Sequence, residues 1–228
     1  LSPIQGTELC AVAEQMYSYE LLYAYTGDSK WAERLEMLAF NGLPAAISDD
    51  MWTHQYDQQS NQINCIKFPG KSLFGTNGPE AHLFGLEPTY GCCTANFGQA
   101  WPKFALSAFL HSGSTVLNAV PVPAKLKTED FSVELETNYP FENTFLYKVE
   151  TNKDMELMIR IPSFAQNLRI NETASDLAEK LVFKVKEGEK REIRISFDTK
   201  AKFVRRPYDL VCVQAGSLVF SVPIKNRK

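Results

Sequence analysis

The run Thr89-Tyr90-Gly91-Cys92-Cys93-Thr94-Ala95-Asn96 places two adjacent cysteines near the middle of the chain. Neighbouring residues can hardly bond each other, because ordinary disulfide geometry does not fit them. The two thiols are therefore inert core side chains, partners for distant cysteines, or ligands for a soft metal. Upstream lies Glu8-Leu9-Cys10. Together the two segments offer three sulfurs and one carboxylate, a set that suits tetrahedral zinc. A site holding a reactive thiolate is also a candidate for nucleophilic chemistry. Cys92 and Cys93 reach one metal only if the backbone between them turns sharply, a freedom that Gly91 could supply. Three cysteines that merely pack are the competing reading.

Around this run the periodicity divides the chain. Apolar residues recur at helical spacing over residues 8–26, with Thr7 as N-cap and Gly27 as stop. Asp28 caps a second helix through Trp31, Leu35, Leu38 and Ala39, ending near Pro44 or Ile47, so the pair forms an αα-hairpin. Residues 48–91 are punctuated by Gly, Pro, Asn and Asp yet carry Trp52, Tyr56, Phe68, Phe74, Phe84 and Tyr90. A long loop with that aromatic content reads as an ordered wall of a site. A helix follows from Thr94 to about His111, bent or displaced by Pro102.

From Gly113 the pattern changes to alternating and β-branched segments: residues 115–122, 131–136, 144–150, 155–161, 181–185, 192–197, 210–213 and 218–222. Regular short strands separated by turns predict a β-sandwich. The expected organisation is thus α+β and multidomain, helical over residues 1–112 and sandwich over residues 113–228.

Composition bounds the function. With 228 residues, 44% of them hydrophobic and 22% charged, a core of normal size can form. A formal net charge of −3 gives no electrostatic reason for a nucleic-acid or acidic-membrane partner. No run approaches the roughly 18 apolar residues of a membrane helix. The chain opens Leu1-Ser2-Pro3-Ile4 without Met, and so is expected to be a processed product or a piece of a longer protein. Five cysteines cannot all pair internally, which leans toward reduced thiols or metal ligation and leaves the compartment open. Cys65 and Cys212 have no local partner and read as core or loop thiols. His54 sits in Trp52-Thr53-His54-Gln55-Tyr56, a cluster suited to hydroxyl-rich ligands or to a satisfied structural histidine. Glu14, Glu80 and Glu87 could serve a glycosidase, but their spacing selects no pair.

Gly6-Thr7-Glu8-Leu9-Cys10, Met51-Trp52-Thr53-His54-Gln55-Tyr56 and Gly91-Cys92-Cys93-Thr94-Ala95-Asn96 resemble glycoside hydrolase family 127. Ile159-Arg160-Ile161-Pro162-Ser163-Phe164 and Gly216-Ser217-Leu218-Val219 fit that family's β-domain, so the resemblance spans nearly the whole chain. It implies a retaining β-L-arabinofuranosidase with an (α/α)6 barrel followed by antiparallel β-sandwich domains. Residues 1–112 would then be the carboxyl-terminal part of the barrel. The implied zinc ligands are Glu8, Cys10, Cys92 and Cys93, with Cys92 as nucleophile and Tyr56 lining a carbohydrate site.

There are two departures. Many family members follow the cysteine pair with Pro-Pro-Asn, where this chain has Thr94-Ala95-Asn96, which marks a divergent subgroup. The family's acid/base glutamate lies shortly before the E-x-C motif, whereas only seven residues precede Glu8 here and none is acidic. Missing barrel helices would expose apolar faces on residues 8–47 and favour association, an oligomer included. A non-catalytic, zinc-stabilised carbohydrate-binding or scaffold protein would use the same four ligands in a closed site.

This reading predicts that the chain by itself is a poor catalyst on ordinary glycosides. General acid catalysis contributes about 10²–10⁴-fold, and an activated aryl glycoside needs it least. Hydrolysis of an unactivated arabinofuranoside at the rate of a complete family member would show an acid within these residues, with Glu80 or Glu87 the first to mutate.

Overall fold

The structure is a computed structural model that describes residues 5–59, 62, 64–67, 77–85 and 90–223. Expectations that fall on Phe68, Phe74, Glu87 and the charged carboxyl end lie outside the described residues. In chain order come β1 (Thr7–Glu8), α1 (Leu9–Thr26), α2 (Ser29–Met37), a π-helical turn (Leu38–Gly42) and the short α3 (Leu43–Ala45). Then follow β2 (Asp57–Gln58), a 3₁₀ turn (Pro79–His82) and α4 (Gly91–Leu106). The strands β3 (Phe109–Ser112), β4 (Thr115–Asn118), β5 (Ala124–Lys127), β6 (Phe131–Thr137) and β7 (Thr144–Thr151) come next. The rest are β8 (Met155–Arg160), β9 (Gln166–Ile170), β10 (Thr173–Ala174), β11 (Lys180–Val185), β12 (Lys190–Asp198), β13 (Ala201–Arg205), β14 (Val211–Ala215) and β15 (Leu218–Phe220). No described helix is long and apolar enough to cross a membrane.

The chain divides into two compact units, each drawn from separated stretches. One comprises residues 1–19, 34–102 and 201–228; the other comprises residues 20–33 and 103–200.

The second unit is built on two sheets, with strand orders β10-β9-β12-β7-β6-β5 and β11-β8-β4-β3. Alternation decides which side of each strand is buried. Phe131, Val133 and Leu135 of β6, Phe145, Tyr147 and Val149 of β7, and Ile193, Ile195 and Phe197 of β12 all face inward. Met155, Leu157 and Ile159 of β8 and Val116 of β4 are buried in the other sheet. One polar bond ties the sheets together inside this apolar filling. The Tyr147 hydroxyl donates to Asn118 Oδ1 at 2.7 Å, and the Asn118 amide donates to the carbonyls of Ala108 and Val120. Phe145 meets Tyr139, Tyr147 and Phe197 edge to face. The sandwich expectation therefore holds for β3–β12, with one difference: β4 and β8 pair in parallel while every other described pair is antiparallel.

The turn between α1 and α2 is packed into this unit. Gly27, at φ +65°, ends α1, and its N–H bonds to the Tyr23 carbonyl at 2.8 Å. Asp28 Oδ1 accepts from the Lys30 N–H, an N-cap as the sequence predicts. Glu33 accepts from the backbone and hydroxyl of Ser163, Ser29 donates to Glu179, and Lys180 donates to the Gly27 carbonyl.

In the first unit, β13, β14 and β15 form a separate three-stranded meander. Strands at 210–213 and 218–222 read from sequence as a continuation of the sandwich, but three polar side chains direct them elsewhere. Buried Glu36 accepts from the Ser217 hydroxyl, the Asn41 amide donates to the Ser217 carbonyl, and Asn41 Oδ1 accepts from the Val219 N–H. A packed core and a hydrogen-bonded meander leave the same alternating pattern in sequence. The helix expected at Thr94–His111 is displaced: α4 starts at Gly91, keeps Pro102 inside, and gives way to β3. The (α/α)6 barrel expectation is met only by a few helices, α1, α2, α3 and α4.

Two stability predictions follow. Tyr147→Phe leaves Asn118 Oδ1 buried without that donor, and should lower stability by about 1–3 kcal/mol, read as a lower urea midpoint at unchanged slope. Buried Glu20 accepts from Ser107 at 2.7 Å, and burial raises its carboxyl pKa against that bond and the attraction of Lys103. A raised folded pKa means the stabilising contribution is complete below the unfolded value, about 4.3, and is lost as pH rises through the folded value. Urea midpoints of Glu20→Gln and the unmodified protein should therefore move apart between pH 4 and 7, in favour of the variant.

Candidate metal and thiol site

Two helix starts hold the thiols. Cys10 lies in the first turn of α1, and Cys92 and Cys93 lie in the first turn of α4. The unpaired N–H groups and positive dipole end of each helix favour a thiolate there. Cys10 Sγ is 3.6 Å from Cys93 Sγ, and the three sulfurs lie within 4.8 Å of one another. Cys93 is buried, Cys10 is half-buried and Cys92 is exposed. The sharp turn expected at Gly91 is not needed, because Gly91 is helical and is not among the glycines with positive φ. One helical turn already brings the adjacent thiols to a common point.

Local pairing sets the direction of α1. β1 and β2 pair antiparallel, with Glu8 opposite Asp57, and the Leu9 N–H donates to the Tyr56 carbonyl at 3.0 Å. Leu9, wholly buried, anchors the turn that carries Cys10. Close packing also fixes the π-helical turn, since a Cβ on Gly42 would stand 3.4 Å from a Val12 methyl.

Burial raises the pKa of the Cys10 thiol, opposed by a hydrogen bond from Asn96. It raises the Cys93 thiol well above its ordinary value, and a hydrogen bond with Cys10 pushes it further the same way. Without a cation the buried thiols thus favour the protonated form. Three soft donors within 4.8 Å of one another fit a metal ion that binds thiolate, and such an ion would reverse that preference.

The fourth expected ligand is arranged differently. Glu8 lies beside the group but not within it, and the Tyr56 hydroxyl hydrogen-bonds to its carboxylate. Burial first, then this bond, raises the Tyr56 pKa. The Tyr56 ring stacks on Tyr90, centroids 4.0 Å apart and planes 23° from parallel. Tyr90 precedes α4, and its carbonyl accepts from the Cys93 N–H. Behind this pair, buried Asp57 accepts from Asn77 at 2.9 Å; burial raises its carboxyl pKa, partly offset by Asn77 and buried His82. His54 is buried in a backbone bridge to Ile47 and Gly85, and its Nε2 has no hydrogen-bond partner among the described residues. No described contact joins it to the thiols.

The other candidates sort readily. Glu80 is exposed and accepts from Lys67, which lowers its carboxyl pKa, the wrong direction for a general acid. Glu14 accepts from Gln99. The Cys65 sulfur takes amide donors from Gln55 and Gln62, in keeping with a loop thiol, whereas Cys212 lies in β14 and takes the guanidinium Nε–H of Arg206. Sequence reasoning named Tyr90 only as one aromatic of the loop wall, and missed Asp57, Asn77 and the pair Asn96–Gln99. Only the last left a readable signal, its helical spacing from Cys92 and Cys93.

With this geometry in place, comparison with solved structures is informative. The chain is similar to the crystal structure of a GH127 β-L-arabinofuranosidase from Geobacillus stearothermophilus T6, with a TM-score of 0.73 at 17% identity over 95% of the chain. It is similar to a structure described as a glycoside hydrolase, with a TM-score of 0.72 at 18% identity over 94%. A second GH127 β-arabinofuranosidase matches with a TM-score of 0.70 at 19% identity, again over 94%. The chain spans only 36%, 37% and 36% of those three chains. No family model matches the sequence, and no curated protein does. The shared property is the fold: the chain has the architecture of a portion of a GH127-like glycoside hydrolase.

The site predicts a defined thiol chemistry. One equivalent of zinc(II) should protect Cys10, Cys92 and Cys93 from alkylation while leaving exposed Cys65 reactive. Cys93→Ser should abolish that protection at the two remaining positions, Cys10 and Cys92, measured by peptide mass mapping.

Proposed function

We propose that the protein is a portion of a retaining glycoside hydrolase of the zinc–cysteine type. Its substrates would be non-reducing terminal β-L-arabinofuranosides or closely related sugars. The observation that carries this reading is the convergence of Cys10, Cys92 and Cys93 within 4.8 Å, in a chain with the fold of GH127 structures.

Zinc is the metal this donor set suits best, and Glu8, once turned from Tyr56, is the fourth ligand. When bound, zinc supplies the positive charge that keeps the thiols deprotonated near neutral pH. Cys92 is the exposed sulfur of the three, which supports it as the one that would attack an anomeric carbon. The leaving oxygen takes a proton from an acid, which the resemblance places upstream of Glu8. Water then displaces the sugar from Cys92 with a second inversion, so the product retains its configuration. The stacked Tyr56 and Tyr90 rings offer an aromatic wall of the kind that packs on sugar faces.

Under this reading, residues 1–112 are the carboxyl-terminal part of an (α/α)6 barrel and residues 113–228 a sandwich domain. Exposed apolar residues along α1 support it: Tyr17, Leu21 and Tyr25, 39%, 41% and 86% exposed, recur every fourth residue as a face that further helices would cover.

Incubation of the zinc-loaded full-length parent protein with a cyclophellitol-type covalent probe tests the proposal. Labelling is expected at Cys92 and should vanish in Cys92→Ser. Bound zinc without labelling would replace this reading with a non-catalytic, zinc-stabilised carbohydrate-binding or scaffold role, and absence of zinc binding would overturn both.

A further inference from the structure

Between α3 and the stacked Tyr56 the chain makes a tight loop over residues 48–53. At its base Ile47 and His54 form an antiparallel bridge, and the Gln55 N–H donates to the Ala46 carbonyl at 2.8 Å. The Ser48 N–H donates to the Thr53 carbonyl at 2.9 Å, and the Met51 N–H to the Ser48 carbonyl at 2.8 Å. Asp50 Oδ1 accepts from the Ser48 hydroxyl at 2.6 Å and from the Trp52 N–H at 3.0 Å. The Thr53 N–H donates to Ser48 Oγ at 3.0 Å. Met51 takes φ +60°, a left-handed conformation that a residue with a side chain holds only where its surroundings enforce it.

Ser48, Asp50 and Thr53 are thus committed to one another. What the loop offers outward is the indole of Trp52, 70% exposed, beside exposed Met51. The indole has no partner among the described residues. It presents a flat apolar face and one N–H donor. A sugar ring matches both, with a face of C–H bonds and a rim of hydroxyl acceptors. A protein partner needs a wide surround that excludes water from such an anchor, and flanking Ser48, Asp49, Asp50 and Thr53 do not provide one.

Position selects which sugar. Four residues separate Trp52 from Tyr56, so their Cα atoms stand no more than about 14 Å apart. That is the reach of a sugar unit or two from the Tyr56–Tyr90 wall. In an enzyme that removes residues from non-reducing ends, the substrate continues only on the leaving-group side of the scissile bond.

We propose that Trp52 is a specificity-determining residue, an aromatic platform that the stapled 48–53 loop holds under the sugar on the leaving-group side. The inference rests on the glycosidase reading and deepens it. It makes the substrate an oligosaccharide or a glycosylated aglycone rather than a simple glycoside.

The test uses the zinc-loaded full-length parent protein with methyl β-L-arabinofuranoside and an arabinofuranosyl disaccharide. Trp52→Ala should lower the ratio of kcat/KM on the disaccharide to that on the methyl glycoside about three- to tenfold, the weight of one aromatic stack. A merely structural role would lower both together. Trp52→Phe, which keeps the ring face, should retain most of the ratio. Hydroxyl-radical footprinting gives a second measurement that leaves Trp52 in place. In the inactive Cys92→Ser parent, saturating disaccharide should protect the Trp52 side chain from oxidation and the methyl glycoside should not.

An unchanged ratio in Trp52→Ala overturns the proposal, and so does equal oxidation of Trp52 with and without disaccharide. The glycosidase reading fails separately. Protection of Trp52 in a parent that hydrolyses neither sugar would sink that reading and leave the platform standing, whereas hydrolysis with an unchanged ratio would sink the platform alone.

Discussion

The approach of Cys10 Sγ to Cys93 Sγ at 3.6 Å, between residues 83 apart in sequence, is the constraint on which the first unit depends. It requires two helices to begin at one place. β1 and β2 aim the start of α1, the Tyr90 carbonyl receives the first turn of α4, and Tyr56 on Tyr90 packs the ground between them. Each contact is local, and together they bring three thiols within reach of one ion. Burial alone works against thiolates there, since it raises the pKa of Cys10 and Cys93. The helix termini and the Asn96 amide work in the opposite direction. A site balanced between these effects changes protonation when a cation enters.

Much of this was legible in the residues. Gly27 and Asp28 mark the turn between α1 and α2 because their backbone chemistry admits few alternatives. The inward residues of β6, β7, β8 and β12 are read from alternation, which a half-buried strand requires. The pair Cys92-Cys93 with Glu8-x-Cys10 pointed to a shared site because adjacent thiols have few other uses. What escaped the sequence depends on long-range partners. The meander β13–β15 looks like more sandwich until Glu36 and Asn41 are seen holding Ser217 and Val219. Phe109–Ser112 continues a helical apolar pattern, but pairing with β4 makes it a strand. The orientation of Glu8 toward Tyr56 is a choice between two partners for one carboxylate, and no spacing rule encodes it.

The interior of the sandwich shows how few polar groups a core needs when each is satisfied. Asn118 and Tyr147 lie among aromatic and branched side chains, and their bonds reach across from one sheet to the other. Apolar packing tolerates sliding between sheets; a short hydroxyl-to-amide bond does not, so this pair fixes the register of one sheet on the other. By contrast, the ion pairs on the outer faces, such as Lys125 with Glu134 and Lys190 with Glu150, are solvent-exposed and contribute little.

The parallel pairing of β4 with β8 has a kinetic consequence. Between these strands the chain runs out through β5, β6 and β7 before returning, so the pair can form only by closing a loop that holds half the strands of the other sheet. Loop entropy rises with the logarithm of length, and parallel strands have no tight turn to offset it. The β5–β6–β7 meander, whose neighbours are adjacent in sequence, has no such handicap. Contact order therefore orders the events: the meander is available early as a template, and the β4–β8 ladder closes late. Destabilising changes in the meander then fall mainly on the folding rate, and those in the β4–β8 ladder mainly on the unfolding rate.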